Sequence, residues 1–213
     1  FFLNYLYYSK HLHILLAFPN TYYANLEEKG KFGILESVKN EVLLMFYPEK
    51  VQEENNAQVE KFGASDVLDL NWIQLMNAYS CTECGRCTSE CPANLTGKKL
   101  SPRKIMMDTR DRLEQVSKNI SKNNGVFKDD GNQLLDNFIS REELWACTSC
   151  NACVDACPID IDPLSIIMQM RQYLIMEESS AHSDLNNMMN NIENNGAPWP
   201  FNQQDRELWI QEP

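Results

Sequence analysis

Apolar and polar positions along the chain alternate at helical spacing from about residue 66 onward, in short units separated by polar loops. Trp72, Leu75 and Met76 share one face of a helix that Asp69 or Asn71 caps and that runs to about Tyr79. Ser101 and Pro102 supply an N-cap and a first helical position. They open a helix to about Ile120 with a stripe of Ile105, Thr109, Leu113, Val116 and Ile120. Residues 121–133, with Asn123-Asn124-Gly125 and Asp129-Asp130-Gly131, read as loop. Ser140 followed by Glu143 is a capping box that starts a short helix. Asp162-Pro163 begins another, to about Glu178, and Asp184 to Asn194 reads as a helix closed near Gly196. Pro198-Trp199-Pro200 is extended, with a short helix after Gln203. Met106, Met107, Met168, Met170 and Met176 sit on helical faces as core filler.

The pattern before residue 65 differs. Phe1 to Pro19 is aromatic and apolar, interrupted by Asn4, Lys10, His11 and His13. Its tyrosines and nearby lysine suit a membrane interface, although the second half is too polar for a confident span. The simplest account is that residues 1–19 are the end of a transmembrane or interfacial helix, the chain being the C-terminal part of a longer membrane protein. The alternative is an amphipathic helix packed on a partner or on the chain's own core. Phe32-Gly33-Ile34-Leu35 and Val42-Leu43-Leu44-Met45-Phe46 read as a small β-hairpin or extended segments inside a linker over 20–64. A module over 65–180 and a C-terminal helix and tail over 181–213 complete the division.

All eight cysteines fall into two copies of one spacing, C-x2-C-x2-C-x3-C-P. One copy is Cys81, Cys84, Cys87, Cys91 and Pro92; the other is Cys147, Cys150, Cys153, Cys157 and Pro158. Three cysteines within seven residues fold around one side of a cubane cluster, and the fourth, held extended by the proline after it, is out of reach of that cube. Gly85, and Asn151 at the matching position, tolerate the positive φ that close packing of backbone on inorganic sulfide requires. Zinc sites use two C-x2-C pairs joined by a longer loop, and disulfide frameworks suit short secreted chains, so both fit less well.

This spacing resembles that of two-cluster ferredoxins, in which the fourth cysteine ligates the other cluster. The resemblance implies one 4Fe–4S cluster on Cys81, Cys84, Cys87 and Cys157 and a second on Cys147, Cys150, Cys153 and Cys91. Fifty-five residues (92–146) separate Cys91 from Cys147 and include a long helix. That spacer makes the fold class all-α, a helical two-cluster ferredoxin module. Residues 66–178 resemble the iron–sulfur subunits of succinate dehydrogenase and anaerobic glycerol-3-phosphate dehydrogenase and the small iron–sulfur subunit of heterodisulfide reductase. Succinate dehydrogenase lacks one cysteine of its second motif, whereas this chain keeps all four, so the heterodisulfide-reductase-like group is the better match. Its membrane-anchored members carry an anchor whose end the segment Ser9 to His13 with Pro19-Asn20 resembles. Asn195 to Trp199, with Asp205-Arg206, resembles segments that follow the module in that group. In such anchors histidines ligate b-type haem, which implies His11 or His13 as a haem ligand; a helix-end histidine is otherwise simply interfacial.

The catalytic partners of that group carry Cys-Cys-Gly repeats, which this chain lacks. The resemblance therefore implies a relay with the catalytic centre on another subunit, either a Cys-Cys-Gly-repeat protein or a flavoprotein, and membrane quinone as the other terminus. The implied location is the cytoplasmic side of the bacterial inner membrane. The alternatives are the iron–sulfur subunit of a soluble dehydrogenase complex acting on glycerol 3-phosphate, lactate, glycolate or an electron-transferring flavoprotein and, more remotely, a zinc-stabilised interaction module. The net charge of −11 argues against nucleic acid as a partner. Arg86 either raises the first cluster's potential or makes a surface salt bridge, and Glu83 and Glu90 act the other way. Trp145 shields the second cluster or is plain core, and His182 is a surface residue.

Overall fold

The computed structural model describes residues 1–7, 9, 11–26, 36–47 and 61–211. Among them all regular structure is helical, apart from one isolated bridge between Leu135 and Ile139. Residues 1–173 and 174–213 form two compact units.

The larger unit is built from two similar halves. In the first, Trp72–Ser80 is a helix capped by Asn71, whose Oδ1 accepts the Gln74 N–H at 2.9 Å while Gln74 Oε1 accepts the Asn71 N–H at 3.0 Å. Such reciprocal capping satisfies two amides that a helix start leaves orphaned. The cysteine run follows with two one-turn helices, Arg86–Ser89 and Pro92–Leu95, and then the long helix Pro102–Lys122 capped by Ser101. In the second half Arg141–Ala146 has its capping box at Ser140 and Glu143, the cysteine run carries Ala152–Asp155, and Pro163–Met176 follows. The two long helices start alike. Pro102, Ile105, Met107 and Arg110 recur as Pro163, Ile166, Met168 and Arg171, and Ile105 and Ile166 are both fully buried.

The buried stripe of the Pro102–Lys122 helix is Ile105, Thr109, Arg112 and Val116, with Met106 beside it. The spacing is helical, but Arg112 takes the buried place expected for Leu113, which is half-buried. Its guanidinium meets the Asp66 carboxylate at 2.7 and 3.0 Å, the Asp130 carboxylate at 2.7 and 3.0 Å and the Asn132 carbonyl at 2.5 Å. Asp66 also accepts the amides of Val67 and Leu134. One buried cation thus ties the entry of the module to the loop at 129–132. The Trp72–Ser80 helix likewise buries Gln74, Asn77 and Ala78 and leaves Trp72 exposed, its ring edge-on to Tyr23 at 4.8 Å.

Two expectations for the N-terminal third change. The hairpin or extended segment is instead helical where it is described: Glu36–Phe46 is one helix, while 31–35 lie outside the described residues. Five consecutive apolar residues carry no period of their own, and the good helix formers within and before them, Leu43, Leu44 and Met45 with Lys39, decide the outcome. The first segment is two helices, Phe2–Tyr7 and Leu12–Tyr22, and the second continues past Pro19. It packs on the Trp72–Ser80 helix, and Asn20, only 1% exposed, donates from Nδ2 to the Ile159 carbonyl at 2.8 Å. That anchorage holds the helix through the proline. No helix among the described residues is long and apolar enough to cross a membrane.

The packed unit also reaches back before residue 65. Ala64 donates to the Gln169 carbonyl at 3.1 Å, and a Cβ on Gly63, at φ +73°, would collide with the Gln169 carbonyl and the Tyr173 amide. In the smaller unit, Ser183–Asn195 ends on Gly196, left-handed at φ 64°, whose amide donates to Ile192 at 2.9 Å. A 3-10 turn, Gln203–Glu207, leads into Leu208–Gln211.

Candidate iron–sulfur centre

Each cysteine run is delivered by a capped helix that ends where the first cysteine turns extended. Cys81 has ψ 121° and Cys147 ψ 129°. Within each run the backbone goes left-handed twice, at Glu83 (φ 60°) and Gly85 (83°) in the first and at Ser149 (56°) and Asn151 (61°) in the second. Glycine takes this region without strain and asparagine at small cost. Glu83 and Ser149 have no such excuse, and two non-glycine residues at one place in a repeat mark a site that imposes its backbone. The result is local: the Ser149 amide points at Cys147 Sγ, 3.4 Å away, and the Glu83 amide makes the matching bond to Cys81.

The eight thiols surround two cavities. One is lined by Cys81, Cys84, Cys87 and Cys157, together with Gly85, Pro158, Arg86 and Arg103. The other is lined by Cys91, Cys147, Cys150 and Cys153, with Asn151 and the apolar Leu100, Leu164 and Ile167. Leaving aside Cys153 at their boundary, the first cavity takes Cys81, Cys84 and Cys87 from one run and Cys157 from the other, and the second takes Cys147 and Cys150 from one run and Cys91 from the other. Cys153 lines both, so the cavities share a wall, and it packs with Val154 and Leu164 against Cys87 and Cys147. Pro92 lines neither cavity; it is the first residue of Pro92–Leu95 and holds Cys91 extended at ψ 116°.

Burial raises the thiol pKa of Cys81, Cys87 and Cys147, and pushes that of Cys153 up to about 12. The neighbouring sulfurs add to it: Cys81 feels Cys87 and Cys157, Cys147 feels Cys91 and Cys150, and Cys153, at the shared wall, feels Cys147 and Cys91 and also Cys87. Four thiolates around one cavity repel one another unless cationic iron stands among them. Among the described residues no three Cys, His, Asp or Glu side chains stand close enough to share a single ion; each set of four surrounds a space instead. The donor set, the two cavities and the left-handed turns fit two 4Fe–4S clusters. Residues 80–161 match the 4Fe-4S dicluster domain. This part of the chain is a 4Fe-4S dicluster domain.

Relatives extend beyond that domain. The chain is 31% identical to the probable iron-sulfur-binding oxidoreductase FadF of Bacillus subtilis, over 99% of this chain and 32% of that protein. It is 28% identical to the EtfAB:quinone oxidoreductase of Syntrophomonas wolfei, over 74% of this chain and 25% of that protein. It is also 28% identical to a probable membrane-anchored ferredoxin of Chromohalobacter salexigens, over 69% of this chain and 24% of that protein. Heterodisulfide reductase subunits C and D of Methanosarcina acetivorans match at 28% and 25%. The chain spans about a third or less of the first three of these relatives.

Around the dicluster domain, the remaining candidates separate. Arg86 and Arg103 are exposed at the mouth of the first cavity. Glu83 pairs with Arg110 at 2.8 Å, and Glu90 is exposed. Trp145 is half-buried with the Arg171 guanidinium 5.1 Å from its ring centroid. His182 is exposed, as expected of a surface residue. His11 precedes the Leu12–Tyr22 helix as its cap residue, its ring tilted against Tyr5 at 6.5 Å, and His13 is the second residue of that helix. Neither lines either of the two cysteine cavities, and nothing in this arrangement supports haem at either. Arg110 and Arg171 escaped the sequence reading. Superimposing the two cysteine runs and reading on to Pro102 and Pro163 would have found both.

Proposed function

We propose that this chain relays electrons between a partner oxidoreductase and membrane quinone, its eight cysteines holding two 4Fe–4S clusters with exchanged fourth ligands. The observation that carries the reading is the pair of cavities with a common wall at Cys153, each completed by a cysteine of the other run. When bound, such clusters supply one-electron transfer without a nucleophile or general base. The chain's own residues do the rest. Cys81, Cys84, Cys87 and Cys157 hold one site, and Cys147, Cys150, Cys153 and Cys91 the other. Gly85 and Asn151 turn the backbone around them, Pro92 and Pro158 keep the exchanged cysteines extended, and Leu100, Leu164 and Ile167 exclude water from the second site.

Support for the quinone terminus comes from the relative named as a quinone oxidoreductase, and for membrane association from the one named as membrane-anchored. The exposed aromatic surface of the first two helices, with Phe2, Tyr5, Phe18 and Tyr22, suits a lipid interface. The catalytic partner is a flavoprotein or a Cys-Cys-Gly-repeat subunit. Membranes from cells making the full-length protein should keep it through an alkaline carbonate wash, and a short-chain quinone should reoxidise its dithionite-reduced clusters. Release by the wash together with indifference to quinone would favour the soluble dehydrogenase complex instead.

A further inference from the structure

The repeat puts one arginine at the same point of each half. Arg110 is the ninth residue of the helix that begins at Pro102, and Arg171 the ninth of the helix that begins at Pro163. Each reaches back to the third residue of its own cysteine run: Arg110 Nη2 donates to Glu83 Oε1 at 2.8 Å, and Arg171 Nη1 to Ser149 Oγ at 3.3 Å. Each also favours the thiolate of the first cysteine of that run, Cys81 or Cys147.

The repeat places two equal charges and then treats them differently. The Glu83 carboxylate offsets Arg110, with Asp111 a further 3.6 Å contact. Arg171 spends four contacts on neutral oxygens: Nε and Nη2 on the Leu144 carbonyl at 2.9 and 2.5 Å, Nη2 on the Cys147 carbonyl at 2.5 Å and Nη1 on Ser149 Oγ. Its remaining face lies over Trp145. Among the described residues no carboxylate pairs with it.

A cluster gains negative charge on reduction, so an uncompensated cation beside it favours the reduced form, while an ion pair does so far less. Other charges weigh less. Arg86 and Arg103, at the first cavity, are exposed, where water weakens a charge about fourfold relative to a site near the protein surface with an effective dielectric of about 20. Asp162 acts on Cys153 at the second site, but its carboxylate accepts the Ser165 amide at 2.9 Å at the start of a helix, whose dipole offsets it. We propose that Arg171 and Glu83 set the order of the two potentials: the site of Cys147, Cys150, Cys153 and Cys91 is the higher-potential electron sink, and that of Cys81, Cys84, Cys87 and Cys157 the lower. This rests on the cluster reading above.

The test is a potentiometric titration followed by EPR on the anaerobically purified, cluster-loaded protein. Arg171→Gln should lower the higher potential by about a tenfold change in the reduction equilibrium, 59 mV for one electron, and leave the other nearly in place. Arg171→Lys, which keeps the charge and loses the fork, should hold that potential close to its original value. Glu83→Gln, which frees the Arg110 charge, should raise the lower potential. The proposal is overturned if Arg171→Gln moves neither potential or moves the lower one. If that variant does not load clusters, an unchanged pair of potentials in Glu83→Gln overturns it as well. A parent protein that carries iron separates either failure from a failure of the cluster reading, which would show as a protein without iron.

Discussion

Cys157→Ala combined with Cys84→Ala should leave one intact cluster, whereas Cys157→Ala combined with Cys150→Ala should leave none. The pairing follows from the lining of the two cavities, where Cys157 stands with Cys81, Cys84 and Cys87, apart from Cys147 and Cys150 of its own run, Cys153 being the wall between the two. Two lesions in one site cost little more than one, while lesions in separate sites add. Counting iron in the purified variants reads the outcome, about four atoms per chain in the first case and close to none in the second. Ligation within each run predicts the reverse order. The mirrored variants, Cys91→Ala with Cys150→Ala or with Cys84→Ala, repeat the comparison from the other side, so a misfolding accident in one variant cannot imitate the full pattern.

Arg112→Met should be the most damaging change away from the cysteines. The Arg112 side chain is 0% exposed, against 15% for Asp66 and 23% for Asp130. Methionine matches its volume but takes the guanidinium away from two carboxylates and the Asn132 carbonyl. Breaking a buried pair by removing one partner costs about 3–5 kcal/mol, and the partial exposure of both aspartates places this case near about 3. For a chain of this size that corresponds to a fall of about 10 °C in melting temperature, read by circular dichroism on cluster-loaded protein. Asp130→Asn should cost less, because Asp66 also holds the amides of Val67 and Leu134 and still pairs with the guanidinium. Equal melting of parent and Arg112→Met would remove the network from any account of stability.

The helix starts were legible because they are written in short-range chemistry. Asn71, Ser101 and Ser140 each cap where the sequence places them. The cysteine runs were legible for the same reason, since the spacing itself carries the geometry. What stayed hidden depends on partners far along the chain. Periodicity prefers Leu113 to Arg112 at a buried position, and Asp66, 46 residues away, together with Asp130 and the Asn132 carbonyl reverses that preference. Trp72 looks like core by composition, yet its ring stacks edge-on against Tyr23 at the surface. Pro19 looks like a helix stop, but docking of Asn20 on the Ile159 carbonyl carries the helix through it. Glu83 and Ser149 give no residue-type signal for their positive φ. At the candidate site the sequence named all eight cysteines and the two turn residues, and missed the two arginines because a charge on a helix normally reads as solvated surface.

Chemical analysis of iron and acid-labile sulfide on anaerobically prepared full-length protein, with an EPR spectrum after reduction, tests the central claim most directly. Two clusters on eight cysteines predict about eight irons and about eight sulfides per chain, a brown colour and a reduced-state signal. A colourless, sulfide-free protein with stoichiometric zinc would contradict it.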